Sequence, residues 1–112
     1  MTEVVFAIPV VPGKETEDRE ALDELAEGRR EEYEAALREA GVTRQAVWHQ
    51  QTPDGVLAIV LFETDSPEGP QRFVTSEGEV NQWFVDRMKV VHGVDISQEP
   101  PPPVEKVHDV RV

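Results

Sequence analysis

Three histidines, two tryptophans and no cysteine bound the chemistry open to this chain. His49 is the leading candidate, because a histidine in a cavity can serve as a general base near neutral pH. It follows Trp48 and precedes Gln50 and Gln51. The structural alternative is a histidine hydrogen-bonded at a barrel or subunit surface. His92 closes a predicted helix, where a C-terminus suits a cationic side chain, so capping is its simpler explanation. His108 lies in the tail. The three have no short-range ligand spacing such as His-x-x-x-His, and no metal is expected. Without cysteine there is neither a thiolate metal site nor a cysteine nucleophile. Gly13 stands alone rather than in a phosphate loop, and Ser66, Ser76 and Ser97 lack a nucleophile-elbow context. No cofactor is expected. Trp48, Phe73, Trp83, Phe84 and Met88, joined by His92, are the candidate lining of a ligand pocket between sheet and helices. Residues of this kind at helical spacing also serve as plain core.

The elements that must position them follow from patterning. The run Val56-Leu57-Ala58-Ile59-Val60-Leu61-Phe62 follows the turn signal Thr52-Pro53-Asp54-Gly55 and is β-branched and apolar without alternation. Such a strand is buried on both faces. Residues 4–11 (VVFAIPVV) form an equally apolar strand, with Pro9 at its end or at a bulge because it cannot donate to a ladder. Residues 42–51 form a further strand, with Ala46 and Trp48 on one face and Val47 and His49 on the other. The Pro-Asp-Gly turn joins it to the apolar strand as an antiparallel hairpin.

Residues 14–40 carry Leu22, Leu25, Ala26, Tyr33, Ala36, Leu37 and Ala40 at three- and four-residue steps, one helical stripe. Gly28 marks a kink, a break into two helices or a close contact, and Gly41 ends the stretch. The acids of its first turns read as a solvated face, supported by Glu15–Arg19 and Glu34–Arg38 spacing. A short or irregular helix is expected in residues 65–74. Ser76 and Glu79 then offer a capping box for a helix running to His92 and stopped by Gly93. Residues 94–112 are a tail in which Pro100 to Pro103 favour polyproline II. Residues 104–112 are a candidate last edge strand, in this sheet or a partner's.

At 112 residues, 38% apolar and 30% charged, the chain is expected to be one domain, residues 1–112. A net charge of −12 would repel a phosphate backbone or an anionic membrane surface, so neither nucleic acid nor membrane is an expected partner. Met1-Thr2-Glu3 leads straight into apolar sequence with no basic n-region, so no signal peptide is expected and the location is read as cytoplasmic.

The order strand, helix, strand, hairpin, strand, helix, candidate strand is the β-α-β-β-α-β plan: an α+β, ferredoxin-like fold with an antiparallel sheet and helices on one face. The other face stays bare in a lone subunit, and two apolar strands point to a homodimer packed through that face. With Pro-Gly-Lys after the first strand, Leu61-Phe62-Glu63 ending the apolar one and Trp83-Phe84 in the last helix, the chain resembles the dimeric α+β barrel proteins, the group of antibiotic-biosynthesis-monooxygenase-like domains. That resemblance implies a small cofactor-independent oxygenase or isomerase acting on an apolar or aromatic metabolite, or a non-catalytic dimeric module that binds a small ligand or simply assembles. The haem-degrading members pair a strand asparagine with a tryptophan and a histidine. The single asparagine here is Asn81, in a predicted helix, so haem degradation is not implied.

Overall fold

The computed structural model describes residues 1–112. Strand β1 (Thr2–Pro9) leads into helices α1 (Glu15–Ala26) and α2 (Arg30–Glu39). Strands β2 (Val42–Thr52) and β3 (Gly55–Thr64) form the hairpin, and helices α3 (Gly69–Thr75) and α4 (Glu79–His92) follow. The three strands make one antiparallel sheet in the order β1-β3-β2. The apolar strand is the central one.

Register sorts the side chains between two faces. Val4, Phe6 and Ile8 pair across with Phe62, Val60 and Ala58, which in turn pair with Gln45, Val47 and His49. This face lies under the helices, and Phe62 joins Ala21, Leu25, Leu37, Phe73, Phe84 and Met88 in the main core. A second cluster of Ile8, Val10, Val56, Ala58 and Val91 closes the opposite end of the sheet. The other face presents Val5, Ala7, Leu57, Ile59, Leu61, Ala46 and Trp48 with no helix over it. Trp48 there is 51% exposed.

The structure takes one of the alternatives open at Gly28 and departs from the sequence expectations in three places. Residues 14–40 form two helices, because the chain breaks at Glu27–Arg29 around Gly28. The break lets the Arg29 guanidinium stack 4.4 Å over the Trp83 ring of α4. The capping box does not form: Ser76 ends α3 in extended conformation, its Oγ accepts from the Gly78 N–H, and Gly78 precedes α4 without a side-chain cap. The supportive pairs are also different ones, since Arg30 meets Glu34 at 3.3 Å and Lys14 meets Glu17 at 3.0 Å. Finally, residues 104–112 are not a strand. One antiparallel bridge joins Phe6 to Pro103, and the Val104 N–H donates to Val5 O at 2.7 Å. Consecutive prolines have no N–H to offer, so the ladder cannot extend backwards along the tail.

The tail nonetheless lies along the free edge of β1 in its own subunit. Gly93 turns the chain into it with φ 74°, a conformation that favours glycine. Lys106 Nζ reaches Glu3 Oε1 at 2.6 Å and Asp109 Oδ2 at 2.9 Å. Its hydrogen bond and charge hold the Glu3 carboxyl below the usual carboxylate range. No helix is long and apolar enough to cross a membrane.

Candidate functional site

The helix-facing side of the sheet does not fill completely. A cavity of about 260 Å³ remains between sheet, helices and tail. Val4, Phe6, Val60 and Phe62 form part of its floor, α1 and α4 contribute Leu22, Phe84 and Met88, and Pro100, Pro101 and Pro103 wall one side. The small side chain of Ala58, at the middle of a cross-strand row, leaves space that a larger residue would occupy. Of the 21 lining residues 12 are hydrophobic, so each polar group on the wall is conspicuous.

Asp18 is the foremost of these. Its side chain is 2% exposed, and its Oδ2 lies 2.6 Å from His49 Nε2, itself on a side chain 9% exposed. A carboxylate only accepts, so Nε2 carries the proton and the ring is held in one orientation by Asp18. Asp18 lines the cavity, whereas His49 stands behind it from β2. The carboxylate is therefore the member of the pair that a ligand meets. It sits in the first turn of α1, where the helix field favours an anion.

His92, at the end of α4, also lines the cavity, and its Nδ1 donates to the Pro9 carbonyl at 2.9 Å. Gln45 lines the floor from β2 but accepts a hydrogen bond from the Tyr33 hydroxyl. Burial pushes the Tyr33 phenol well above its usual range. Because the folded state then holds this proton more tightly than the unfolded chain does, stability is unaffected below pH ~10 and falls above it, by about 1.4 kcal/mol per pH unit for one group. Urea titrations between pH 9 and 11 should show that decline in wild type and its reduction in Tyr33→Phe.

Of the residues singled out in the sequence, Phe84, Met88 and His92 stand on the cavity wall, and His49 touches it through Asp18. Trp48 does not, because it points to the bare face of the sheet. Phe73 is fully buried among Tyr33 and Phe84 as core, and Trp83 is occupied by Arg29. The histidines do not converge, and no three histidine, aspartate or glutamate side chains cluster as a metal site. Asn81 is in α4 and donates to the Phe73 carbonyl at 2.7 Å, a buried structural contact. Asp18 was hidden among the acids of α1. Its signal is visible in retrospect: it lies three, four and seven residues before Ala21, Leu22 and Leu25, an acid on the apolar stripe.

The structure is similar to that of L-rhamnose mutarotase FA22100 from Formosa agariphila, with a TM-score of 0.65 over 99% of this chain and 100% of that one. The fold is ferredoxin-like. At 14% identity the likeness extends to the fold alone. No protein-family model matches the sequence, and no curated protein matches it.

Proposed function

We propose that the cavity binds a small, largely apolar metabolite and that Asp18, held by His49, moves a proton on it, making the protein a small-molecule isomerase. One observation carries this reading: a buried, histidine-paired carboxylate on the wall of an otherwise apolar cavity. His49 occupies one carboxylate oxygen, and the other can take a proton from the ligand and return it to a different atom. Between the oxygenase and isomerase readings, proton transfer is the chemistry this pair supplies directly. A sugar such as the mutarotase's rhamnose fits less well, since its several hydroxyls would lie unpaired against apolar wall. The ligand class is instead a single-ring compound with one or two polar groups.

Proton transfer can be read without knowing the product. A panel of cyclic ketones in D₂O, followed by proton NMR, should include compounds whose α-protons exchange faster with the protein than in buffer. Asp18→Asn should slow that exchange by about 10²-fold or more. Exchange no faster than buffer across the panel, or equal in both proteins, would remove the proposed chemistry.

We also propose that a second copy covers the bare sheet face. Leu57, Ile59 and Leu61 on the central strand, flanked by Val5, Ala7 and Trp48, are apolar and self-complementary about a two-fold axis. Light scattering should give a dimer at micromolar concentration for wild type and a folded monomer for Ile59→Asp. A monomeric wild type would contradict the proposal.

A further inference from the structure

The tail holds its part of the cavity wall differently from the other elements. The floor is a hydrogen-bonded sheet, and α1 and α4 are packed into the main core through Leu25, Phe84 and Met88. The root of the tail is fixed as well. Ile96 packs against both core clusters, and the Asp95 carbonyl accepts from the Gln98 and Glu99 N–H groups at 3.0 and 2.8 Å. Gln71 Nε2 adds a contact to Ser97 O at 3.4 Å. From Pro100 to Pro103 the chain then has no N–H to donate. The next hold is the Val104 N–H on Val5 O at 2.7 Å, followed by the Lys106 ammonium on Glu3 at 2.6 Å. Both lie at the surface: Val104 is half-exposed, and the side chains of the ion pair are 54% and 40% exposed.

Pro100, Pro101 and Pro103 thus wall the cavity between a fixed root and a clasp of two contacts. Each proline ring fixes its own φ and keeps the residue before it extended, so the run is a stiff bar of about 12 Å, at about 3.1 Å per residue. Such a bar moves as a unit. Releasing the clasp frees it without breaking a bond inside the sheet or any helix. One hydrogen bond and one exposed ion pair are small against the stability of a whole domain, so this is the part of the wall that opens locally.

We propose that residues 100–106 are a strap that gates the cavity. It opens about its root at Asp95–Glu99 to let a ligand enter and leave, and the Val5–Val104 and Glu3–Lys106 contacts close it. This inference rests on the cavity being a ligand site, as proposed above, and adds to it how that site is entered.

Amide hydrogen exchange on the full-length protein reads the strap without a ligand. The Val104 amide should exchange about 10²-fold or more faster than the slowest amides of the β1–β3 ladder, yet more slowly than an unstructured amide. Added sodium chloride should speed it relative to those ladder amides, because salt screens an exposed ion pair, and Lys106→Gln should remove that dependence. Fluorobenzene, a neutral single-ring probe, then reads the gate, with association and dissociation rates taken from fluorine NMR line shapes. Val104→Pro deletes the N–H of the clasp and continues the proline run. It should raise both rates about fivefold, the worth of one hydrogen bond. A tail that served only as wall would change dissociation alone. Ladder amides that exchange as in wild type show that the sheet is intact in each variant, and the wild-type exchange measurement needs no variant at all. Val104 exchange as slow as the ladder's, no protection at Val104, or an association rate unmoved by Val104→Pro would overturn the gate and leave the ligand site in place. Fluorobenzene that does not bind would remove the ligand site and the gate with it.

Discussion

Phe73→Ala is expected to lower stability by about 3–5 kcal/mol, the range for deleting a fully buried phenylalanine. Phe73 has no exposed surface. Its ring meets Tyr33 edge-on at 6.1 Å and Phe84 at 5.3 Å, so its loss removes two aromatic contacts along with the buried area. It also anchors α3, a helix of only seven residues that cannot persist on its own propensity. The backbone of Phe73 accepts the Asn81 amide in the same buried region, so α3 and α4 would loosen together. Against a total stability of ~5–15 kcal/mol, such a loss should move the urea midpoint by a large fraction of its value. A shift worth less than about 1 kcal/mol would show that the α3–α4 corner relaxes into the space instead.

His49→Ala is expected to be as damaging, by a different mechanism. Removing one partner of a buried pair leaves the Asp18 carboxylate unpaired, which costs about 3–5 kcal/mol. The double variant Asp18→Leu, His49→Leu should recover that loss and equal or exceed wild-type stability, because the pair's desolvation cost is removed with it. It should also lose ligand-dependent proton exchange entirely. That combination would mean that the pair is retained for chemistry and not for folding. A double variant less stable than His49→Ala would indicate that the pair holds α1 to β2 by packing that leucine cannot reproduce.

Much of the fold is legible in local patterns. The unbroken apolar run of β3 marks a strand, and the structure makes it the central one, with helices over one of its faces. The turn before it demands a hairpin, and Gly41 and Gly93 stop the helices where expected. The failures have physical causes. A stripe with period 3.6 continues across Gly28 whether or not the helix does, so the sequence leaves a kink, a break and a close contact open there, and the structure takes the break, with Arg29 stacked on Trp83. The Ser76–Glu79 spacing satisfies the capping rule locally, yet α3 claims Ser76 as its own end. The tail's β-branched residues look like a strand, but the pairing with β1 is confined to one bridge at Pro103, and the prolines before it cannot extend the ladder in their direction.

The site was harder to read for a related reason. Strand alternation places Trp48 and His49 on opposite faces, and that much follows from sequence. Which face receives the helices does not, so Trp48 was grouped with residues it cannot reach. Asp18 was one acid among many on α1 until the packing of Leu22 and Leu25 showed which stripe faces inward.

By itself the sequence determined the three strands, the hairpin, the helical character of the segments between and after them, and the apolar character of both sheet faces, and it singled out His49 as a site candidate. These depend on periodicity and residue chemistry, which are local. Tertiary structure alone decided that Asp18 from α1 meets His49 from β2, 31 residues later in the chain, that His92 lines the same cavity, and that the proline tail walls one side of it. Those are contacts between elements, set by strand register and helix packing, and no single segment of the chain encodes them.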